Sequence, residues 1–212
     1  MYKLIAILFA VANFIIPQLA CAQSKVRFPA LDAAQLSPEQ KQWADMIAAP
    51  PRNANFKSPP YNIYIRNPEL AERMIALNDY LRNTKLPVRI TQLAILITAR
   101  QWNSHYVWRA HYRRTIKGGL DPTVLADMAA GKLPEKLKDD EAALYNFAME
   151  IYRNREVSDA TYEKAITQFG ERGVYELVAI MGYYNITSMI LITANVATPK
   201  DDEVPPLQVI AK

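Results

Sequence analysis

The stretch PVRITQLAILITARQWNSHYVWRAHYRRTIKGGL, residues 87–120, decides the fold of this chain. Its first half has apolar residues at helical spacing and predicts a helix with one buried face, formed by Ile90, Leu93, Ala94 and Ile97. A second helix is expected to begin at Asn103 and Ser104, because both side chains can accept a bond from the free N–H groups of a first turn. There Ser104, Val107 and His111 are spaced i, i+3 and i+7 and share one face. Gln92, one helix earlier, could face them across a helix pair.

This arrangement resembles the carboxymuconolactone decarboxylase / alkyl hydroperoxidase D family. The thiol branch of that family carries a Glu, a Cys-x-x-Cys pair and then a His, and these positions correspond here to Gln92, Ser104, Val107 and His111. The decarboxylase branch favours Tyr-Glu-Trp-x-x-His, and the run here is Tyr106-Val107-Trp108-Arg109-Ala110-His111. The Tyr, Trp and His match, whereas both thiols and both acids are replaced. The chain therefore resembles a degenerate member of the family over roughly residues 60–198.

The resemblance implies an all-α, multi-helix bundle that forms a homo-oligomer, a trimer or a hexamer. It further implies a lyase acting on a small carboxylated lactone or carbonyl acid, with His111 and Tyr106 as catalytic residues. Histidine suits this role because it titrates near neutral pH, and cations or hydrogen-bond donors would hold the carboxylates. The positions expected to contact such a carboxylated small molecule are Gln92, Ser104, Trp108, Arg100 and Tyr184. The alternative is a catalytically inactive member that binds a ligand or serves as a structural oligomer.

Thiol chemistry of the peroxiredoxin-like type is the least favoured function. It needs one thiolate to attack and a second thiol to resolve, and the chain has a single cysteine, Cys21. If the chain were a peroxidase, it would therefore have to work without thiols. His105 and His111 are six residues apart with no carboxylate at i+3 or i+4, so no metal site is expected, and no cofactor is predicted.

Residues 1–22 have the pattern of a secretory signal peptide. Lys3 precedes an apolar run, residues 4–16, which is followed by the small-residue site Ala20-Cys21-Ala22. Cleavage after Ala22 predicts a periplasmic or secreted protein with no stable membrane insertion afterwards. An uncleaved anchor and lipidation of Cys21 are the alternatives. Residues 23–60 are then an N-terminal extension with one helix, residues 61–198 the helical domain, and residues 199–212 a flexible tail.

Charge adds little to the functional assignment. The formal net charge is +4, acids and bases alternate, and no nucleic-acid-binding module is recognisable, so nucleic acid is not an expected partner. The densest basic cluster forms either a solvated helix face or an anion site, and it consists of Arg100, Arg109, Arg113, Arg114 and Lys117.

Other helices follow from caps and periodicity, and alternating strand patterns are absent. Ser37-Pro38 with Gln40 predicts a helix start with a capping box. A stripe of large apolar residues is expected to face inward from the next long helix, namely Leu70, Met74, Leu77 and Leu81. Gly170 and Gly173 bracket a predicted break before a long apolar helix, residues 174–196, which should be buried.

Overall fold

A computed structural model of the protein describes residues 26–209. The predicted signal peptide, with Cys21, lies outside these residues. The described part contains a 3-10 turn at Ala33–Gln35 and no strand, which confirms the all-α prediction. Its α-helices are α1 (Pro38–Ala48), α2 (Tyr61–Tyr64), α3 (Pro68–Arg82), α4 (Val88–Gln101), α5 (His105–Lys117), α6 (Pro122–Ala129), α7 (Asp139–Asn154) and α8 (Asp159–Thr193).

Helix α4 is the central element of the bundle. It packs against α5, α7 and α8, and every residue from Leu93 to Arg100 is buried. Helix α5 returns along it after a tight turn in which Asn103 has a positive φ of 47°. Ser104 occupies the N-cap position of α5 but its side chain makes no capping hydrogen bond, contrary to the expectation from the sequence. The pairing of α4 with α5 nevertheless sets the face of α5 that carries His111 against α4.

The N-terminal segment adds a second layer to one side of the bundle. Ser37 and Gln40 form the predicted capping box at the start of α1. Trp43 and Ile47 of α1 belong to a small apolar cluster with Ile65, beside α2, and with α3. Because of these contacts α1 holds α2 and the preceding prolines over the bundle, where they form one wall of a cavity that also borders α3, α4, α5 and α8.

Helix α3 faces the bundle with only part of the predicted stripe, because Leu81 is buried and Met74 is half-buried against the core. Leu70 and Leu77 are exposed, whereas the buried positions are Ala71, Ile75, Asn78 and Leu81. The stripe of large apolar residues misassigned the face because the true inward face contains a polar residue, Asn78, that lines a cavity.

Helix α8 consists of two helical segments that meet at Gly170, where the sequence predicted a break. The predicted break survives as a kink at Gly170, whose φ of 65° and ψ of 169° are not helical. Among the described residues only α8 is long and apolar enough to cross a membrane, and half of its most apolar window is buried inside the bundle. A core helix meets the same criteria, and α8 packs on α4 and α7 in this way.

The C-terminal segment is packed, so the prediction of a flexible tail is wrong for residues 201–208. Val204 and Leu207 are 1% and 5% exposed, and the amide of Gln208 donates to Ala129 O at 2.9 Å. The indole Nε1 of Trp108 donates to Pro205 O at 3.1 Å. Val204 and Leu207 are three positions apart, and their burial was not predicted because the segment around them is charged and rich in proline.

Candidate functional site

A cavity of about 580 Å³ lies between α3, α4, α5 and α8, with α2 and the Pro59-Pro60 segment on its outer side. Helix α5 contributes its residues at i, i+3, i+4 and i+7, so a single face of the helix forms one wall. Those residues are Val107, Ala110, His111 and Arg114. The volume is in the range of about 300–1,000 Å³ that small-molecule sites occupy.

His111 and Gln92 meet at the inner end of this cavity. Nδ1 of His111 lies 2.8 Å from Oε1 of Gln92, so Nδ1 carries the proton and donates to the amide oxygen. The ring is 8% exposed, and burial, together with the positive charges of Arg114 and Arg82, lowers the pKa of His111 to about 3. The imidazole is therefore neutral near pH 7, and its remaining nitrogen, Nε2, is an acceptor available to a ligand.

Two tyrosine rings of α8 pack beside the histidine. The ring of Tyr184 meets the ring of His111 edge-on at 5.0 Å, and Tyr183 lies 5.3 Å from Tyr184. Burial raises the pKa of Tyr184 to about 12, although Arg82 and the amide of Asn78 act in the opposite direction. Burial and the neighbouring Tyr64 raise the pKa of Tyr183 as well. These hydroxyls thus stay protonated and serve as donors rather than bases.

Tyr106 closes the cavity toward the proline segment. Its hydroxyl donates to Pro59 O at 3.2 Å, and burial raises its pKa. This bond ties α5 to the segment before α2, so Tyr106 contributes an aromatic wall and its hydroxyl already has a partner.

Two arginines give the cavity a positive potential. Arg82, at the end of α3, and Arg114, on α5, both line it and are exposed at its mouth. Neither forms an ion pair within residues 26–209, and no carboxylate is among the lining residues. Both guanidinium groups act on the titration of His111 and Tyr184, so their charge reaches the inner end of the cavity.

Of the residues expected from the sequence to form the site, the structure brings together His111, Tyr106, Gln92 and Tyr184. The hydroxyl of Ser104 is buried without a hydrogen-bond partner among the described residues, and Ser104 does not line the cavity. Trp108 points to the opposite side of α5, where the C-terminal segment covers it. Arg100 lies at the far end of α4 and lines a separate, smaller cavity. These three do not reach His111 because Trp108 lies on the opposite side of α5, whereas Arg100 and Ser104 lie near the turn between α4 and α5, about two helical turns from the histidine.

Sequence reasoning missed Arg82, Arg114 and Tyr183 as site residues. Arg114 follows His111 by three positions on one helix, so helical periodicity places it on the same face. Tyr183 adjoins the predicted Tyr184 within α8. Arg82 had no local signal, because it reaches the cavity only through the packing of the C-terminal end of α3.

Within residues 26–209, His, Cys, Asp and Glu side chains form no group of three that could hold a metal ion. The same part of the chain contains no cysteine. The polar groups that the cavity offers to a ligand are thus one neutral imidazole, amides, hydroxyls and two guanidinium groups.

Comparisons with known proteins support the fold. No protein-family model and no curated protein matches the chain. A crystal structure from Agrobacterium tumefaciens, of a protein of unknown function assigned provisionally to the antioxidant defence protein AhpD, is similar with a TM-score of 0.59 and 18% identity. The match covers 66% of this chain and 97% of that one. The chain therefore has the AhpD-like, all-α fold.

Proposed function

We propose that this chain is a degenerate AhpD-like protein that binds a small carboxylated ligand in the cavity beside His111. The observation that carries the proposal is the pair of arginines, Arg82 and Arg114, which face this cavity with no acidic partner in the described part of the chain. Guanidinium groups form charge-assisted, often bidentate hydrogen bonds with carboxylates. An anion there would neutralise charge that the protein leaves uncompensated.

The inner walls indicate what the rest of the ligand looks like. Tyr183 and Tyr184 present ring surfaces, and Val107, Ile95 and Ile180 add apolar area. A flat or aromatic body would pack against these walls while its carboxylate stays at the arginines. A lactone or carbonyl oxygen on the same ligand would find tyrosine hydroxyls as donors.

The test is a thermal-shift screen of the mature chain with benzoate, phenylacetate, small dicarboxylates and carboxylated lactones. A ligand that binds only the folded state raises the melting temperature by mass action. We expect a shift in the parent that is lost in Arg82→Gln/Arg114→Gln. A matched control, Arg73→Gln/Lys164→Gln, removes two exposed cations elsewhere and should keep the shift. Equal shifts in all three proteins would refute the proposal.

A second candidate is a lyase of the carboxymuconolactone decarboxylase type, with His111 as the proton carrier. It is favoured by the Gln92 bond, which fixes the tautomer and leaves Nε2 for a substrate. A carboxylate bound at the arginines would offset their charge and so remove one of the causes that lower the pKa of His111, whereas burial, the larger cause, stays. Release of carbon dioxide from a ligand found in the screen, abolished in His111→Gln, would support this activity.

Export and oligomerisation are part of the same proposal. The signal-peptide pattern of residues 1–22 supports a periplasmic or secreted protein. One exposed apolar stripe on α8 supports burial against a second copy, since its spacing follows one helix face with Gly182 in the middle. It consists of Tyr175, Val178, Ile186, Met189 and Ile192. Light scattering should give a trimer or hexamer for the parent and a smaller species for Val178→Glu/Met189→Glu. A monomeric parent would contradict this part of the proposal.

A further inference from the structure

Arg100 is a buried cation that lacks a counterion. Its side chain lies at the C-terminal end of α4 and the residue is 4% exposed. Nη1 donates to Oδ1 of Asn103 at 2.5 Å, whereas Nε and Nη2 are buried and have no partner in the part of the chain that the structure describes. Buried charges in proteins are normally paired because removing them from water is expensive. Three guanidinium N–H groups, one on Nε and two on Nη2, are thus left for a group that is not part of these residues.

A second cavity opens at this guanidinium. It has a volume of about 50 Å³ and lies between the end of α4, the loop after α6, and α7. Lys132 and Arg153 line it from the exposed side, and no carboxylate is among its lining residues. Neither of these two cations forms an ion pair within residues 26–209. Three cations therefore converge on one small space.

The volume of this cavity fits a small anion. A single water needs about 10–15 Å³ measured in this way, so the space holds several waters or one compact ion. Gly131 borders it with a φ of 75°, and a Cβ at that position would lie 3.1 Å from Nη2 of Arg100. Because this position has no side chain, the loop after α6 can lie close to the guanidinium. The hydroxyl of Tyr145, also on the wall, adds a donor.

The C-terminal end of α6 lies beside the guanidinium and offsets part of its charge. The helix end does not satisfy the guanidinium N–H groups, however, because no α6 carbonyl accepts a hydrogen bond from Nε or Nη2 of Arg100. An oxyanion would supply several acceptor oxygens at once, and the planar fork of arginine matches them in pairs.

We propose that this second cavity binds a phosphate-sized oxyanion, with Arg100 as the inner ligand and Lys132 and Arg153 as the outer ones. The proposal does not depend on the function proposed for the His111 cavity, since the two sites share no lining residue. The oxyanion is either a free ion or the phosphate group of a small organic molecule whose remainder lies outside the cavity.

Calorimetric titration at constant ionic strength tests the site with inorganic phosphate and glycerol 3-phosphate. We expect a Kd of about 1 mM or below for the parent, the affinity that two charge-assisted bonds would give. Lys132→Gln/Arg153→Gln, with both changes at exposed positions, should weaken it at least about tenfold. Arg82→Gln/Arg114→Gln should leave it unchanged. Arg100→Met should abolish it, with circular dichroism and melting to confirm that this variant folds.

If the parent binds no phosphate, the proposal is overturned. The same result is expected if a carboxylate of a second copy fills the cavity, and it overturns the proposal equally. Equal affinity in the Lys132/Arg153 variant would overturn it as well. Loss of binding in the Arg82/Arg114 variant instead would place the anion in the larger cavity and also overturn it. Tighter binding of glycerol 3-phosphate would support the site and identify an organic phosphate as its ligand, and equal binding would support a free ion.

Discussion

Replacing Gln92 with Glu places a carboxylate beside His111, and it should raise the pKa of His111 toward the neutral range. In the parent, Oε1 of Gln92 lies 2.8 Å from Nδ1 of His111, and the pKa of His111 is lowered to about 3, chiefly by burial. A carboxylate at this place attracts the imidazolium with about 4 kcal/mol at an effective dielectric constant of 20 and a charge separation of about 4 Å.

That attraction corresponds to about a thousandfold gain in proton affinity. Gln92→Glu should therefore move the pKa of His111 from about 3 toward its ordinary value of about 6.5. The new carboxylate is half-buried itself, so the two groups titrate as a coupled pair and the midpoint belongs to both.

The assay is an NMR titration of the imidazole Hε1 signals. The chain has two histidines, so a His105→Gln background leaves one signal to follow. Gln92→Leu is the uncharged control, and it should leave the midpoint as low as in the parent. A parent His111 that titrates near pH 6.5, or a Gln92→Glu variant with an unchanged midpoint, would refute the reasoning.

Three further predictions concern stability. The pKa of His111 is lower in the folded chain than in the unfolded chain, so the unfolded chain binds more protons between about pH 6.5 and 3. The free energy of unfolding therefore falls as the pH drops through that window. Between pH 7 and pH 5 the parent should lose about 2 kcal/mol more than His111→Gln, measured by urea unfolding. Leu207→Ala should cost about 2 kcal/mol because it empties a packed position, whereas Val209→Ala, at a residue that is 90% exposed, should change stability by less than about 0.5 kcal/mol. Arg89→Met leaves the carboxylate of Glu141 buried without its cation and should cost about 3 kcal/mol, measured by the same unfolding method.

Each stability prediction has an outcome that contradicts it. Parallel pH profiles for the parent and His111→Gln would mean that the imidazole is not held neutral. Equal effects at positions 207 and 209 would mean that the C-terminal segment is not packed. The matched control for Arg89→Met is Arg73→Met, whose i,i+4 pair with Glu69 is exposed and should contribute less than about 1 kcal/mol. Similar losses for both variants would show that burial does not set the strength of the Arg89 pair.

The sequence predicted helices correctly where a capping motif or a periodic apolar face marked them. The capping box at Ser37 and the paired helices around Gln92 and His111 follow from the sequence in this way. Periodicity specifies which residues share a face, however, and not which neighbour covers that face. Leu70 and Leu77 have the right spacing but are exposed, since α3 turns Asn78 toward the cavity instead.

The arginines show the same limit at the site. Arg100 and Arg114 both belong to the basic cluster in the sequence, yet they line different cavities. Arg82 is separated from His111 by 29 positions and reaches the site only because the end of α3 borders the same cavity as α5. Such convergence depends on long-range packing, and the sequence carries no local pattern for it. The packed segment that holds Val204 and Leu207 was missed for the same reason.

The most direct test of the central claim compares a carboxylate with its uncharged isostere. Benzoate and benzamide have nearly the same shape, so the difference in their Kd values by calorimetry reports the contribution of the charge. The account predicts that the parent binds benzoate at least about tenfold more tightly than benzamide, as one charge-assisted hydrogen bond would give. It also predicts that this difference disappears in Arg82→Gln/Arg114→Gln. A parent that binds both equally, or a difference that survives the double substitution, would contradict the account.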